Sequence, residues 1–286
     1  GVQMQNLKRL PPVPDDVSDV TGWDNEQLAA NLRQVFTASS PDGLLFVGDF
    51  SSVEARGLAF IAGEDWVIEV FRKGQGLYEM QAAKQFGVSY ELVTKGQRQY
   101  GKVGVLSCGY GAGGPAVKDF AAAMGIEMTS LESATVVSDF REARPATVAL
   151  WEKLDTAMKD AITTRVRQVV QLDNVEVVFH LVGSPASLIE LKPEAVTVVM
   201  KVLTNGVLTL RRVFRGCYLS GNEIRYHKPV DGVTLELWRD WYVNPATGQR
   251  TPNKLYGGKL TGILVQSYCR EIFMESLKVL QLYLSQ

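Results

Sequence analysis

Hydrophobic residues follow two different periods along this chain, and the change of period divides it. From Trp66 to about Asp160 they recur every three to four residues, which predicts a mainly helical stretch. Between residues 165 and 240 the chain contains three β-rich runs, at Val175–Val182, Val196–Val202 and Val207–Val213. From Thr261 onward the pattern predicts one long amphipathic helix. Its predicted apolar stripe comprises Ile263, Leu264, Tyr268, Ile272, Phe273 and Leu277.

Turn and capping residues delimit these elements. Asn205-Gly206 and Ser220-Gly221 predict turns within the β-rich part. Near the start, a short helical pattern lies at Glu26–Phe36, and the glycine-bounded run Leu44–Val47 predicts a buried strand. A capping box at Ser51–Glu54 then predicts a helix that reaches Ala62 and stops at Gly63. The expected fold class is α/β, with a helical lobe inserted into it.

Composition narrows the class of protein without identifying it. The chain has 286 residues, 46% hydrophobic and 21% charged, with a net charge of −1, as in an ordinary globular protein. No apolar run is long enough for a membrane span, and no signal peptide is visible, so no membrane partner is expected. The three cysteines are far apart, which argues against a disulfide framework or a zinc site and favours a reducing cytoplasm.

Asp49 follows the predicted strand directly, where a rigid element can hold a carboxylate at the edge of an open loop. Such a position suits a metal ligand. The alternative is that Asp49 merely starts a turn. Glu54 has a structural interpretation of its own, as the acidic member of the capping box.

A second group of residues is spaced by four. Arg98, Lys102, Leu106 and Tyr110 share one broad helix face over about 18 Å. Thr94 with Gln97 predicts the capping box that starts this helix. Cations near a helix N-terminus oppose the helix dipole unless they bind an anion together with the free N–H groups. The alternative is a solvated basic face.

Both groups lie in longer strings that resemble a known family. Asp49-Phe50-Ser51-Ser52-Val53-Glu54-Ala55-Arg56 resembles motif A of family A (DNA polymerase I-like) DNA polymerases. The series Arg98-x-x-x-Lys102-x-x-x-Leu106-x-x-x-Tyr110-Gly111 resembles motif B of the same family, in the expected order. Leu106 replaces the aromatic residue of bacterial members, which favours the phage type.

The resemblance implies template-directed DNA synthesis with two Mg²⁺ ions, on primer–template DNA and deoxynucleoside triphosphates. Asp49 and the backbone carbonyl of Phe50 would bind metal, and Glu54 would select deoxyribose. Lys102 would contact the phosphates and donate a proton to the leaving pyrophosphate. The remaining implied nucleotide-binding residues are Arg98 at the γ-phosphate, Leu106, Tyr110, Tyr78 and Ser52.

Implied DNA contacts are Tyr110 and three residues in weaker matches. Gln5 and Asn6 belong to a Gln-Asn-Leu segment, and Gln266 follows a Tyr-Gly-Gly-Lys-Leu segment of phage polymerases that begins at Tyr256. Gly262-Ile263 departs from the usual Glu-Asn, and Gly76 replaces the usual acid before Tyr78. The expected division is palm at 1–62, fingers at 63–255 and palm again at 256–286.

The family's His-Asp-Glu motif, which supplies a second metal-binding aspartate, does not occur in this sequence. The chain is therefore expected to be a fragment that does not polymerise alone.

Three other functions remain as alternatives. A Rossmann dehydrogenase would use Val103–Ser107 as a strand before Gly109-x-Gly111-x-x-Gly114. A single-subunit RNA polymerase shares motif B but lacks an equivalent of Glu54. The third is a decayed polymerase relative that acts as a DNA-binding or replisome scaffold.

Overall fold

The computed structural model describes residues 40, 42–43, 48–173, 175–182, 196–220, 234–243 and 249–284. The chain divides into two compact units, Gly1–Ser51 and Ser52–Gln286. The predicted helix at Glu26–Phe36, the predicted strand at Leu44–Val47 and the candidate DNA contacts Gln5 and Asn6 lie outside the described residues. In the first unit the described part contains a turn, closed by a 3.0 Å hydrogen bond from the Gly43 amide to the Ser40 carbonyl.

Helices make up the first part of the second unit, as the 3.6-residue period predicts. They are α1 (Val53–Ala62), α2 (Asp65–Arg72), α3 (Leu77–Phe86), α4 (Lys95–Cys108), α5 (Gly114–Ala123), α6 (Ser130–Ala143) and α7 (Pro145–Thr164). A final helix, α8 (Gly257–Leu284), follows the sheet. None of the described helices is both long enough and apolar enough to span a lipid bilayer.

An antiparallel sheet of six strands separates α7 from α8, and each strand pairs with its neighbour in sequence. The strands are β1 (Gln168–Leu172), β2 (Val175–Val182), β3 (Val196–Thr204), β4 (Val207–Ser220), β5 (Thr234–Val243) and β6 (Arg250–Leu255). Positive φ angles of 50° at Asn205 and 76° at Gly206 make the predicted tight turn between β3 and β4. The mixed fold class is confirmed.

Three apolar clusters hold the second unit together. The largest lies between one face of the sheet and helices α1, α7 and α8, with Phe179, Met200, Leu154 and Leu264 fully buried. A second cluster joins α4, α5, α6 and α7, and a third joins α1, α2, α3 and α4. Because α4 contributes to two clusters, its position is fixed from two sides.

The expected start of the last helix is wrong. Helix α8 begins at Gly257, four residues before the predicted start, because its first two glycines fit against neighbouring backbone. The predicted apolar stripe is buried at Leu264 and half-buried at Tyr268, but Ile272, Phe273 and Leu277 are 38%, 45% and 41% exposed. The apolar period thus continues beyond the part of α8 that packs on the other described elements.

The dehydrogenase alternative requires Val103–Ser107 to be a strand. These residues lie inside α4, which runs from Lys95 to Cys108. The second glycine of the supposed phosphate loop, Gly111, is part of the turn after this helix. The geometry of a strand leading into a glycine-rich phosphate loop is therefore absent here, and that alternative is wrong.

Candidate active site

Helix α4 begins with the predicted capping box. The Thr94 amide donates to Gln97 Oε1 at 2.9 Å, and the Gln97 amide donates to Thr94 Oγ1 at 3.3 Å. Two of the N–H groups that the first turn leaves unpaired are thereby satisfied, which fixes where the helix starts. The register of the residues that follow depends on this start.

The two sides of α4 differ in burial. Its packed side carries Gly101, Val103, Gly104, Val105 and Cys108, all of them buried. The opposite side presents Arg98 and Lys102, which are partly exposed, and Leu106, which is 45% exposed. The structure thus places these three side chains on one accessible face of α4, as the spacing predicts. Tyr110 lies two residues beyond the end of α4, in the turn that follows, and its ring packs against the largest apolar cluster.

Arg98 is held by two residues of the neighbouring helix α3. Its Nε lies 2.5 Å from Glu79 Oε1, and its guanidinium lies 5.3 Å from the centre of the Tyr78 ring. The structure therefore brings together the predicted nucleotide-binding residues Arg98 and Tyr78. It also adds Glu79, which the sequence did not single out. An anion that binds Arg98 would compete with this carboxylate for the guanidinium.

Lys102 lies one turn further along the same face. Within the described part of the chain it forms neither a hydrogen bond nor an ion pair. A partly exposed ammonium with no protein partner keeps its charge available for a ligand. Arg98 and Lys102 together supply two cations within one helical turn.

Tyr110 connects the end of α4 to the start of α1. Its hydroxyl donates to Glu54 Oε2 at 2.8 Å across 56 residues of sequence. Burial, reinforced by the negative charge of Glu54, raises the pKa of the Tyr110 hydroxyl well above its usual range. The hydroxyl therefore stays protonated and acts as a hydrogen-bond donor.

The start of α1 differs from the predicted capping box. Ser52, not Ser51, occupies the N-cap, in a left-handed conformation with φ 52° and ψ 35°, and its side chain makes no capping hydrogen bond. Glu54 lies in the exposed first turn, where it accepts the Tyr110 hydrogen bond. The N-cap of α1 is therefore not the predicted Ser51, and the contact that the structure gives the Glu54 carboxylate is the Tyr110 hydroxyl.

Glycines allow the close contacts that support this face. A Cβ at Gly101 would lie 2.2 Å from the Tyr78 carbonyl oxygen, so this glycine lets α4 approach α3. A Cβ at Gly258 would lie 2.0 Å from the Tyr110 carbonyl oxygen. Both are packing positions that only a residue without a side chain fits.

The two remaining candidate regions are exposed. Gln266 lies exposed on α8, between the buried residues Val265 and Ser267. Asp49 and Phe50 lie exposed in the first unit, in a segment without regular secondary structure. The described residues contain no group of three or more His, Cys, Asp or Glu side chains that could hold a metal ion.

A buried polar network that sequence reasoning missed joins α2, α3, α6 and α7. Arg144 is only 2% exposed, and its Nε and Nη2 each donate to Gln81 Oε1 at 3.3 Å. Glu64 is buried as well, and its Oε2 accepts from the Thr147 amide at 3.0 Å and from the Thr147 hydroxyl at 3.2 Å. Burial lowers the pKa of Arg144 to about 10, and the attraction of Glu64 opposes this shift. No sequence signal marks Arg144 and Glu64 as neighbours, because they lie 80 residues apart.

Comparison with known proteins shows the origin of both motifs. The sequence model of DNA polymerase family A matches residues 3–174, which is more than half of the chain. A DNA polymerase of Bacillus phage SP02 is 37% identical over 140 residues, which cover 48% of this chain and 21% of the relative. DNA polymerase I of Geobacillus stearothermophilus is 31% identical over 135 residues, or 46% of this chain and 15% of the relative.

DNA polymerase I of Bacillus subtilis is 27% identical over 112 residues, or 39% of this chain and 12% of the relative. The chain thus aligns with about a fifth of the length of the phage relative and less of the bacterial ones. The matched range includes the strings around Asp49 and Arg98, and it ends one residue before β2. The chain belongs to DNA polymerase family A.

Proposed function

We propose that this chain supplies the nucleotide-binding part of a DNA polymerase that adds deoxynucleoside triphosphates to a primer 3′-hydroxyl. The observation that carries the proposal is the accessible face of α4 with Arg98, Lys102 and Leu106, followed by Tyr110 in the turn after the helix. Together these residues combine two cations, an apolar surface and a hydrogen-bonding aromatic ring. A nucleoside triphosphate requires the same combination of phosphate-binding and base-packing groups.

The phosphates would bind at the N-terminal half of this face. The γ-phosphate would replace Glu79 as the partner of Arg98, and Tyr78 would hydrogen-bond a phosphate oxygen. Lys102 would contact the phosphates and donate its proton to the leaving pyrophosphate. Positive charge that is already in place where negative charge develops lowers the barrier to phosphoryl transfer.

The base and sugar would bind towards the C-terminal half. Leu106 would face the base and sugar, and Tyr110 would pack beside the templating base pair. Glu54, held in place by the Tyr110 hydroxyl, would lie under the sugar and exclude a 2′-hydroxyl, with Ser52 nearby in sequence. Gln266 would contact the minor groove near the primer end. The corresponding proposals for Gln5 and Asn6 concern residues outside the described part of the chain.

Mg²⁺ is the metal that this donor set fits, because carboxylate and carbonyl oxygens are its usual protein ligands. Asp49 and the Phe50 backbone carbonyl would hold it, and both residues are exposed. In two-metal nucleotidyl transfer the ions activate the attacking hydroxyl and neutralise the leaving pyrophosphate. Two oxygen ligands leave most of the coordination sphere to water and substrate phosphates, as is usual for Mg²⁺.

In this proposal residues 1–62 and 256–286 form parts of the palm, and residues 63–255 form the fingers. The helical portion of the fingers would bind the nucleotide, and the sheet would form the rest of the fingers. The reaction would take place in the bacterial cytoplasm, within an infected cell if the protein is of phage origin.

Replacing Lys102 by glutamine tests the proposal directly. In the protein expressed from its complete reading frame, we expect the maximal rate of Mg²⁺-dependent primer extension to fall by about 10²–10³-fold, because one donor to the developing charge is lost. Single-turnover extension with a labelled primer measures this rate. Lys153→Gln is the matched control, since Lys153 is exposed on α7 outside the site. Equal rates for both variants would contradict the proposal, and an inactive, DNA-binding wild type would favour the scaffold alternative.

Glu54→Ala tests whether the Glu54 carboxylate selects deoxyribose over ribose. Removal of the carboxylate is expected to increase incorporation of ribonucleotides relative to deoxyribonucleotides by at least about tenfold, because the obstacle to the 2′-hydroxyl disappears. Competition between the two nucleotide classes in primer extension measures the ratio. Tyr110→Phe is the informative companion, since it removes only the 2.8 Å hydrogen bond that holds Glu54. Unchanged discrimination in Glu54→Ala would leave Glu54 with a purely structural role.

A further inference from the structure

One face of the sheet takes part in none of the apolar clusters that the described helices form. Its inner face packs on α1, α7 and α8 through residues such as Val177 and Met200. Side chains alternate along a strand, so their neighbours Val178 and Lys201 point to the opposite side, which we call the outer face. Strands β2 to β6 lie almost entirely beyond the range of the family match, which ends at residue 174.

Basic side chains form a row across this outer face. Lys201 on β3 lies directly opposite Val178 on β2 and opposite Arg211 on β4. His180 lies two residues after Val178 on the same face, and Arg167 immediately precedes β1 and reaches Glu176 on β2 at 3.5 Å. With neighbouring strands about 4.8 Å apart, the row from Arg167 to Arg211 extends over about 14 Å.

The positive charge of this row is poorly compensated. Glu176 is the one acid that pairs with it among the described side chains, and its partner is Arg167. Lys201 and Arg211 form no ion pair or hydrogen bond within the described residues. Like charges directly opposite each other on a sheet destabilise it. Burial lowers the pKa of His180, and the nearby charges of Lys201, Arg211 and Arg167 lower it further.

The row borders a recess of about 420 Å³, lined by Arg167, Val178, His180, Lys201 and Leu203. Val178 is 3% exposed, and Val199, on the same face, is completely buried. The apolar residues therefore form the floor of the recess, while the charged groups stand at its rim. The described side chains of this face include no aromatic ring on which a nucleobase would stack.

We propose that the outer face binds the sugar-phosphate backbone of DNA, as a contact separate from the candidate active site. This proposal rests on the proposed function, because it assumes that the polyanion bound by the protein is DNA. A row of about 14 Å spans about four phosphates of one strand of B-DNA, at about 3.4 Å of helix axis per phosphate. An extended row of cations, without an aromatic stacking platform among its described side chains, fits a repeating backbone, and binding should be independent of sequence.

The test is equilibrium binding of a fluorescein-labelled DNA duplex of mixed sequence to the 286-residue chain, followed by anisotropy at several salt concentrations. The variant is Lys201→Gln/Arg211→Gln, and the control of equal charge is Lys153→Gln/Lys278→Gln on α7 and α8. We expect at least a tenfold loss of affinity at low salt for the first variant only. Its slope of log affinity against log salt should fall by about 2, because two phosphate contacts are lost.

A readout in the wild-type chain keeps the test independent of the folding of the variant. His180 is one of only two histidines in the sequence, so its imidazole resonance can be assigned by His180→Gln. Addition of the duplex should shift this resonance, and the same concentration of phosphate groups as inorganic phosphate should not. Equal losses of affinity in both double variants would overturn the proposal. An equal shift with inorganic phosphate would also overturn it, in favour of a small-anion site.

Primer extension separates this proposal from the proposed function. In the protein expressed from its complete reading frame and at saturating primer–template, Lys201→Gln/Arg211→Gln should retain the wild-type maximal rate, whereas Lys102→Gln should not. A loss of DNA affinity in the former with an intact maximal rate supports the outer-face contact alone. Loss of the maximal rate would overturn the claim that the outer face is separate from the active site.

Discussion

Replacing Asp49 by alanine is expected to lower the rate of nucleotide incorporation by about a thousandfold or more, while the affinity for primer–template DNA changes little. A carboxylate that binds catalytic Mg²⁺ stabilises the transition state, and a thousandfold loss corresponds to about 4 kcal/mol of that stabilisation. The measurement is single-turnover primer extension by the protein expressed from its complete reading frame, at saturating Mg²⁺. DNA binding is measured separately by anisotropy.

Asp42→Ala provides the matched control, because Asp42 is also an exposed aspartate of the first unit. This variant should extend primers at the wild-type rate. An Asp49→Ala protein that retains more than about a tenth of the wild-type rate would remove Asp49 from the metal site. A fall in DNA affinity that matches the fall in rate would instead assign Asp49 to the folding of the first unit.

Replacing Arg144 by methionine is expected to lower the free energy of unfolding of the chain by about 3–5 kcal/mol. Methionine keeps most of the buried volume, but it removes two hydrogen bonds to Gln81 and the positive charge that attracts buried Glu64. It also removes contacts of the guanidinium with the rings of Phe140 and Trp66, at 4.6 and 5.3 Å. Denaturant titration followed by circular dichroism measures the change.

Arg141→Met, in the exposed last turn of α6 three residues before Arg144, should change stability by less than about 0.5 kcal/mol. The double variant Arg144→Met/Glu64→Gln should be more stable than the sum of the single effects predicts, because each change removes the charge that the other leaves unpaired. Additive effects would show that the two buried groups do not stabilise each other. The network would then matter only through its hydrogen bonds to Gln81 and Thr147.

Local signals predicted the elements that depend on local interactions. Helix α4 was predictable because Thr94 and Gln97 lie within its first turn, and the turn at Asn205-Gly206 because both residues adopt positive φ readily. Strand β2 was predicted with its observed bounds because its residues are almost all apolar. Strand β6, Arg250–Leu255, was missed because its polar sequence and Pro252 do not resemble a strand.

Contacts between distant segments could not be read from the sequence. The spacing of Arg98, Lys102, Leu106 and Tyr110 predicts a shared face, but it does not reveal Glu79 as the partner of Arg98. Similarly, the motif strings identify Glu54 and Tyr110 separately, and only the fold shows the hydrogen bond between them. Such pairings depend on how α1, α3 and α4 pack, which no local period encodes.

The contacts at the C-terminal end of α4 determine how a tilt of this helix would move its side chains. Close to Tyr110, the chain is held by the backbone contact with Gly258, by the hydrogen bond to Glu54, and by a 3.2 Å hydrogen bond from Trp151 Nε1 to the Gly109 carbonyl. The helix has 14 residues and is therefore about 21 Å long. A tilt of a few degrees about the held end would leave Tyr110 almost in place and would displace Arg98, where the pair with Glu79 lies, much further.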